Sequence, residues 1–328
     1  MTDKPKVAFY WCASCGGCEE AVVDLAEELL GVAAAVDIVF WPVALDFKRA
    51  DVEAMEDGEI LATFVNGAIR TTEQEEMVHL LRKKSKVLVA FGACAQLGGI
   101  PGLANLWDRE AIFERAYLTS PTTENPAGTV PLTDYAANGH RIQLPGFYDT
   151  VMSLDQVTQV DYAVPGCAPT PNLIAAAVGA LLSGDLPPLG TVLAPDVALC
   201  SECDRRDTKP EDLHITAFKR PHEIIADDET CLLAQGLLCL GPATRAGCGA
   251  QCIGANMPCT GCFGPTSRVH DQGAKAASAI ASLVGADDPA EIERILDGIP
   301  DPIGTFYRYG LPHSLMVRRR QDTVETTA

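Results

Sequence analysis

A chain of 328 residues can form one large domain or two smaller ones, each with its own core, and 47% apolar with 21% charged residues is ordinary for a soluble globular protein. The formal charge of −19 argues against a nucleic-acid binder, which needs a basic face for phosphates. No apolar run approaches the roughly 18–20 residues of a membrane span, and the start M-T-D-K-P-K-V-A-F-Y carries no secretory or twin-arginine signal, so a cytoplasmic protein is expected. Disulfides rarely persist there, and the 13 cysteines read as metal or cluster ligands with at least one to spare.

In chain order, the β-rich run Lys6–Trp11 predicts a buried first strand that leads into C-A-S-C-G-G-C. A helix is expected next: Val22, Leu25, Ala26 and Leu29 have helical spacing, and Glu19 and Glu20 suit its first turn. Strands are expected at 36–43 and 60–65, then a helix over Thr72–Lys84. The run at 86–93 is the clearest buried strand and ends at Cys94. Strands alternating with helices predict βαβ units and a parallel sheet.

From 98 to about 155 the pattern loosens into a Gly-, Pro-, Asn- and Thr-rich insertion with one short helix near 108–117. A last strand at 160–164 runs into P-G-C-A-P-T at Cys167, followed by a helix at 171–182. Composition shifts after Pro187-Pro188, which divides a domain 1–187 from a smaller, irregular, cysteine-rich domain 188–328. Helices are expected at 270–284 and Pro289–Leu296. The chain closes with G-T-F-Y-R-Y-G-L-P, three arginines at 318–320 and a polar T/E/D-rich end expected to be disordered.

Eight cysteines fall between 200 and 262: Cys200 and Cys203 in C-S-E-C, then Cys231 and Cys239, Cys248 and Cys252 in C-G-A-Q-C, and Cys259 and Cys262 in M-P-C-T-G-C. That is enough for two sites of four thiolates. Four others stand at expected strand ends: Cys15 and Cys18 after the first, Cys94 and Cys167 after later ones. A parallel sheet puts those ends on one edge, where open α/β proteins place their ligands. Each is beside glycine, which lets backbone approach a bulky group and point N–H groups at it, and Cys18 opens a helix whose dipole favours a thiolate. A single buried cysteine at a strand end is usually a small core residue; three such ends, each with glycine, favour a site.

A flavin held in the flavodoxin manner needs a Ser/Thr/Gly-rich phosphate loop after the first strand. Here that loop carries Cys12, Cys15 and Cys18, so no flavin is expected. The run Cys12-x2-Cys15-x2-Cys18 is like part of the bacterial ferredoxin motif without its fourth member, and Cys12 reads as a free strand residue. The 200–262 block alone suits an all-cysteine zinc site as well as [4Fe–4S]. Twelve cysteines in three sets of four, with no histidine spaced to complete a mixed zinc site, favour iron–sulfur; a zinc-stapled interaction protein is the alternative of another class.

Three stretches, W-C-A-S-C-G-G-C-E-E, G-A-C-A-Q-L-G-G-I-P-G and V-P-G-C-A-P-T-P, stand in the order of the small subunit of [NiFe] hydrogenases. The later G-L-L-C-L-G-P-A-T-R-A-G-C-G-A-Q-C, M-P-C-T-G-C-F-G-P-T and G-T-F-Y-R-Y-G-L-P resemble its cytoplasmic F420-non-reducing, methyl-viologen-reducing type, which works with heterodisulfide reductase. The resemblance covers essentially the whole chain. It implies a flavodoxin-like N-terminal domain, a C-terminal cluster domain and three [4Fe–4S] clusters. The proximal one would use Cys15, Cys18, Cys94 and Cys167, the distal one Cys200, Cys203, Cys231 and Cys239, and the medial one Cys248, Cys252, Cys259 and Cys262.

Glu20 matches the family's acidic residue after the proximal motif, with an implied role near that cluster or at the subunit interface. The implied partners are a [NiFe] large subunit, an electron-accepting iron–sulfur subunit and heterodisulfide reductase. Nickel would lie on the large subunit, because this chain has no D-P-C-x-x-C run. The alternative within the class is a small subunit feeding NAD(P) or F420; an alternative of another class is the quinone-side subunit of respiratory complex I. That last subunit carries adjacent cysteines and lacks the later eight.

Overall fold

The computed structural model describes residues 4–316; the three arginines at 318–320 and the polar end lie outside the described residues. Strand β1 (Lys6–Trp11) forms as its composition predicts, followed by helices α1 (Gly17–Val23) and α2 (Glu28–Ala35). The sequence suggests one continuous helix here. Instead Ala26 takes a φ of 52° and breaks it. Val22 and Leu25 stay in the core while the chain turns outward, and α2 buries none of its residues.

Strand β2 (Asp37–Phe40) is shorter than expected. Pro42 cannot donate to a ladder, and Trp41 leaves the sheet to pack on Phe9 at a centroid distance of 4.6 Å. Helix α3 (Arg49–Glu53) precedes β3 (Ile60–Asn66) and the short β4 (Ile69–Thr71). Thr71 then caps α4 (Thr72–Lys84) through a capping box with Gln74. Strand β5 (Ser85–Phe91) and helix α5 (Ala93–Leu97) follow.

The insertion is more ordered than its composition suggests. Asp108 caps α6 (Arg109–Phe113), its side chain accepting from Ala111 N at 2.7 Å. Strands β6 (Asp134–Ala137) and β7 (His140–Gln143) form a hairpin closed by Asn138-Gly139, both at positive φ. Strand β8 (Phe147–Met152) pairs antiparallel with β4. Strand β9 (Tyr162–Val164) is not the last of the sheet. After α7 (Pro171–Ser183), β10 (Thr191–Val192) adds a further strand just beyond Pro187-Pro188.

The six-stranded sheet has the order β10-β9-β5-β3-β1-β2, every pairing parallel. Apart from the added edge strand, this is the flavodoxin-like doubly wound order. On one face Phe9 stacks on Phe64, and Phe64 meets Phe91 edge-on, with Val22, Ile174 and Leu181 packed alongside. Buried Asp161 accepts from Leu88 N at 2.7 Å and pairs with Arg82, which locks the entry to β9 onto β5.

The remainder contains short helices α8 (Gln251–Gly254), α9 (Gln272–Ala281), α10 (Pro289–Leu296) and α11 (Pro302–Phe306). Its core sets Leu199, Phe218, Leu232, Leu237 and Ile295 against Cys239 and Cys259. Among the described residues no helix is long and apolar enough to cross a membrane.

The segment after α11 returns to the sheet domain. Tyr309 O accepts from Gly99 N at 3.0 Å, and Pro312 O accepts from Gln156 Nε2 at 2.8 Å. A Cβ on Gly98, already at φ +93°, would meet Pro312 at 2.3 Å. His313 Nε2 lies 2.9 Å from Asp155 Oδ2. The Asp155 partner raises the His313 pKa above its ordinary value, against the opposing effect of burial. Burial pushes Asp155 up, but hydrogen bonds from His313 and Ser153 hold its carboxyl below the usual range.

The contact is therefore fully formed below the ordinary imidazole pKa of about 6.5, is lost as pH rises through the raised His313 value, and also fades in acid as Asp155 protonates. Hydrogen exchange at the amides of residues 309–311, 313 and 314 should accelerate beyond the intrinsic pH trend as pH rises past the ordinary imidazole value of about 6.5. In His313→Gln the same amides should exchange fast throughout, apart from the intrinsic pH trend; a variant profile parallel to the parent's would remove the pair from the account.

Candidate functional site

Strands β1, β5 and β9 end on the same edge, and each delivers cysteine there. Gly16, at φ 82°, caps α1 and turns the chain so that Cys15 lies exposed and Cys18 buried. Cys94 lies in α5 just after β5, and Cys167 just after β9. Burial drives the Cys18 thiol pKa far up, with Cys94, Cys167 and Cys15 adding to it in that order. Cys94 is pushed up to about 12 by burial, then by Cys167 and Cys15, while the Ile100 N–H opposes. The four thiols are thus mutual neighbours. Gly92, at φ +86°, makes room for them: a Cβ there would lie 2.3 Å from Cys18 Sγ.

A second group forms in the cysteine-rich part. Cys200, Cys203, Cys231 and Cys239 line one cavity of about 470 Å³. Burial pushes Cys200 up to about 11, followed by Cys239, Cys203 and Cys231, with Lys209 opposing. Cys239 is raised by burial, and backbone N–H groups of Gly241 and Cys259 pull it back.

The third group is Cys248, Cys252, Cys259 and Cys262. Cys262 is pushed up to about 12 by burial, with Cys167, Cys248 and Cys252 as charged neighbours and a backbone N–H of Cys167 opposing. Cys259 is raised by burial first, then by Cys239, with Cys262 a weaker neighbour. This group therefore sits between the other two. Cys262 has Cys167 of the first group as a neighbour, and the Cys259 N–H lies 3.4 Å from Cys239 Sγ of the second.

The donor sets suit iron–sulfur clusters in chemistry: twelve sulfurs in three groups of four, several with backbone N–H groups aimed at them. Among the described residues no three His, Cys, Asp or Glu side chains converge to hold one ion.

Cys12 belongs to none of these groups. It extends β1, its N–H donating to Asn66 O at 2.8 Å, and packs with Val65, Ile69 and Ala95. Burial alone drives its thiol pKa far up. Glu20 is exposed in the first turn of α1.

The neighbouring Glu19 was not singled out by the sequence, yet it is 5% exposed. Its carboxylate accepts from Asn66 Nδ2 at 2.7 Å and from Trp41 Nε1, and Asn66 in turn accepts from Ser14 Oγ at 2.8 Å. Burial pushes the Glu19 pKa up to about 7, against the Asn66 hydrogen bond. The missed signal is helical phase: Glu19 and Val22, three apart, share the inward face, whereas Glu20 and Val23 point out.

The model of a family described as NADH ubiquinone oxidoreductase, 20 Kd subunit, matches residues 15–181. The iron–sulfur subunit of the F420-non-reducing hydrogenase of Archaeoglobus profundus is 40% identical over 318 residues, covering 96% of this chain and 98% of that one. The corresponding F420-non-reducing hydrogenase chain of Methanothermobacter thermautotrophicus is 38% identical over 324 residues, covering 98% and 99%. Among solved structures, the [NiFeSe] hydrogenase of Desulfovibrio vulgaris Hildenborough aligns with a TM-score of 0.52 over 81% of this chain and 95% of that one. At 16% identity, that likeness concerns the fold alone.

Gly92→Ala forces Cys18 Sγ to move and should cost the protein one cluster, about four irons per chain for a [4Fe–4S] centre. Cys12→Ser should leave iron content at the parent value. Iron and acid-labile sulfide analysis of the anaerobically purified variants checks both. Iron lost from Cys12→Ser, or retained in full by Gly92→Ala, would contradict the grouping above.

Proposed function

This chain belongs to the F420-non-reducing hydrogenase iron–sulfur subunit family, and from that premise we propose that it carries electrons from H2 oxidation on a [NiFe] large subunit to an electron-accepting partner. It is a hydrogenase subunit, hence part of an oxidoreductase. In the proposal, Cys15, Cys18, Cys94 and Cys167 hold the proximal [4Fe–4S] cluster. Cys248, Cys252, Cys259 and Cys262 hold the medial cluster, and Cys200, Cys203, Cys231 and Cys239 the distal one. Bound there, the clusters would supply one-electron exchange in series.

One observation supports this reading: Cys262 has Cys167 as a neighbour while the Cys259 N–H lies 3.4 Å from Cys239 Sγ, so the proposed medial set borders both of the others. The chain's own task is to space the groups and tune them. The Cys259 N–H, 3.4 Å from Cys239 Sγ, is one such lever, and it favours the more negative, reduced state.

The two ends of the row face different partners. Around the first group, Cys15 and Cys167 are exposed beside Trp11 and Ile100, an apolar rim suited to the large subunit, with Glu20 on the same helix turn as Cys18. At the far end the Cys200 cavity is the exit toward an iron–sulfur acceptor subunit and heterodisulfide reductase. A boundary near 187/188, with β10 reaching back from beyond it to the sheet, assigns the proximal set to the flavodoxin-like domain and the other two to the cysteine-rich domain, in a cytoplasmic enzyme.

Three [4Fe–4S] centres require about twelve irons and as many sulfides per chain. Chemical analysis with EPR of the reduced protein tests this; zinc without sulfide would sink the reading. Cys94→Ser should abolish hydrogen-dependent dye reduction while the distal EPR signal, developed with dithionite, survives. Dye reduction persisting in that variant would remove Cys94 from the path.

A further inference from the structure

Glu202 lies between Cys200 and Cys203, and Arg205 follows two residues later, so one short turn carries a carboxylate and a guanidinium to the boundary between two cysteine groups. Both are tied to the Cys248–Cys262 group. Glu202 accepts the Gly247 N–H with its two oxygens at 3.0 and 3.1 Å, which sets Oε1 3.9 Å from Cys248 Sγ. Arg205 is 5% exposed and lines the cavity of Cys200, Cys203, Cys231 and Cys239.

The guanidinium has an unusual set of partners. Nη1 donates to Asp227 O at 2.9 Å, Asn256 Oδ1 at 3.1 Å and Thr230 O at 3.4 Å, and Nη2 donates to Ile253 O at 3.2 Å. All four acceptors are neutral. The Asp227 carboxylate turns instead to the amides of Glu229 and Thr230. Burying a cation against carbonyls costs stability unless something anionic answers it; the Asp227 carboxylate is one charged neighbour of Arg205, Glu211 lines the same cavity, and the thiolates of Cys200, Cys203, Cys231 and Cys239 face it there as well.

We infer that the turn from Glu202 to Arg205 polarises the last electron step: the guanidinium raises the reduction potential of the centre held by the Cys200 group, and the carboxylate lowers that of the centre held by the Cys248 group. The inference rests on the proposed relay. Reduction adds one negative charge to a centre. A fixed cation lining the cavity favours the reduced form, and a carboxylate 3.9 Å from a ligand sulfur opposes it. One electron leaves the Cys248 centre and enters the Cys200 centre; no bond or proton need move. Arg205 and Glu202 are positioning residues for charge, and neither touches the reacting hydrogen.

The test is an EPR-monitored redox titration of the protein purified anaerobically with its partner subunits. Cys231→Ser and Cys262→Ser identify the two signals by their loss. Arg205→Gln should shift the reduced-to-oxidised ratio of the Cys231-dependent centre at least tenfold toward oxidised at fixed potential, about 59 mV downward for a one-electron couple. Arg205→Lys, which keeps the charge, should move it by less than half of that. Glu202→Gln should move the Cys262-dependent centre upward.

With iron content at the parent value, an unmoved distal centre in Arg205→Gln overturns the inference, and so does Arg205→Lys shifting as far as Arg205→Gln. Should Arg205→Gln lose iron, Glu202→Gln decides alone, and an unmoved medial centre is then the overturning result. Fewer than about twelve irons in the parent chain would overturn the relay of three [4Fe–4S] centres instead, and this inference with it.

Discussion

Buried thiols stay protonated until a positive group replaces the proton, and this constraint governs the second half of the molecule. Burial raises Cys200, Cys239, Cys259 and Cys262 together, and Cys239 and Cys259 are members of the same apolar core as Leu232, Leu237 and Ile295. Remove the sulfurs from that core and little regular structure remains to replace them: α8 and α11 are four and five residues long. Metal binding in such a region is folding free energy, because the ligands are gathered only when the metal is present to order them. The sheet domain is different. Its core is built on Phe9, Phe64, Phe91 and Val89 on one face and Val65, Ile69 and Leu88 on the other, with Cys18 and Cys12 as minor members, so its cysteine site is an addition to a fold that stands on its own packing.

The join between the two halves follows from this difference. Rigid strands β5 and β9 present Cys94 and Cys167 at a fixed edge, and the irregular region reaches that edge with Cys262. Arg245 helps to seat it: the buried guanidinium spans Pro265 O and the Asp196 carboxylate, holding the loop after Cys262 against the chain leaving β10. The segment after α11 adds a clasp from the other side through Pro312 on the loop that follows Cys94. A loop domain thereby inherits the spatial precision of the sheet, which a series of electron-carrying groups requires.

Much of this was legible from residues alone, for identifiable reasons. Strand β1, helix α4 and helix α10 follow from apolar period and capping residues, and their bounds match the expectation. The gathering of Cys15, Cys18, Cys94 and Cys167 follows from topology once the strands are taken as parallel. The insertion was harder, because β6 and β7 are exposed and carry no alternating apolar signal; only Asn138-Gly139 betrays the hairpin, through its tolerance of positive φ. Strand β10 is two residues long, below what periodicity can reveal. Glu19 was overlooked because a carboxylate beside Cys18 reads as a helix-turn residue, and its partners Trp41 and Asn66 are remote in sequence.

The chain's charge shows why position outweighs count. By count alone, a formal −19 opposes every added electron. Most of that charge is at the surface, and physiological salt largely screens it beyond about 8 Å. Two unit charges 4 Å apart interact by only about 1 kcal/mol in water, but by about 4 kcal/mol at the effective dielectric of about 20 that suits partly buried sites. A few charges in contact with the cysteine groups therefore weigh more than a dozen outside. Lys209 opposes the Cys200 neighbours, Arg205 lines their cavity, and Glu202 stands at Cys248. Their arrangement gives direction to a row of chemically similar sites: the surface can stay acidic for solubility while the interior carries its own, opposite gradient.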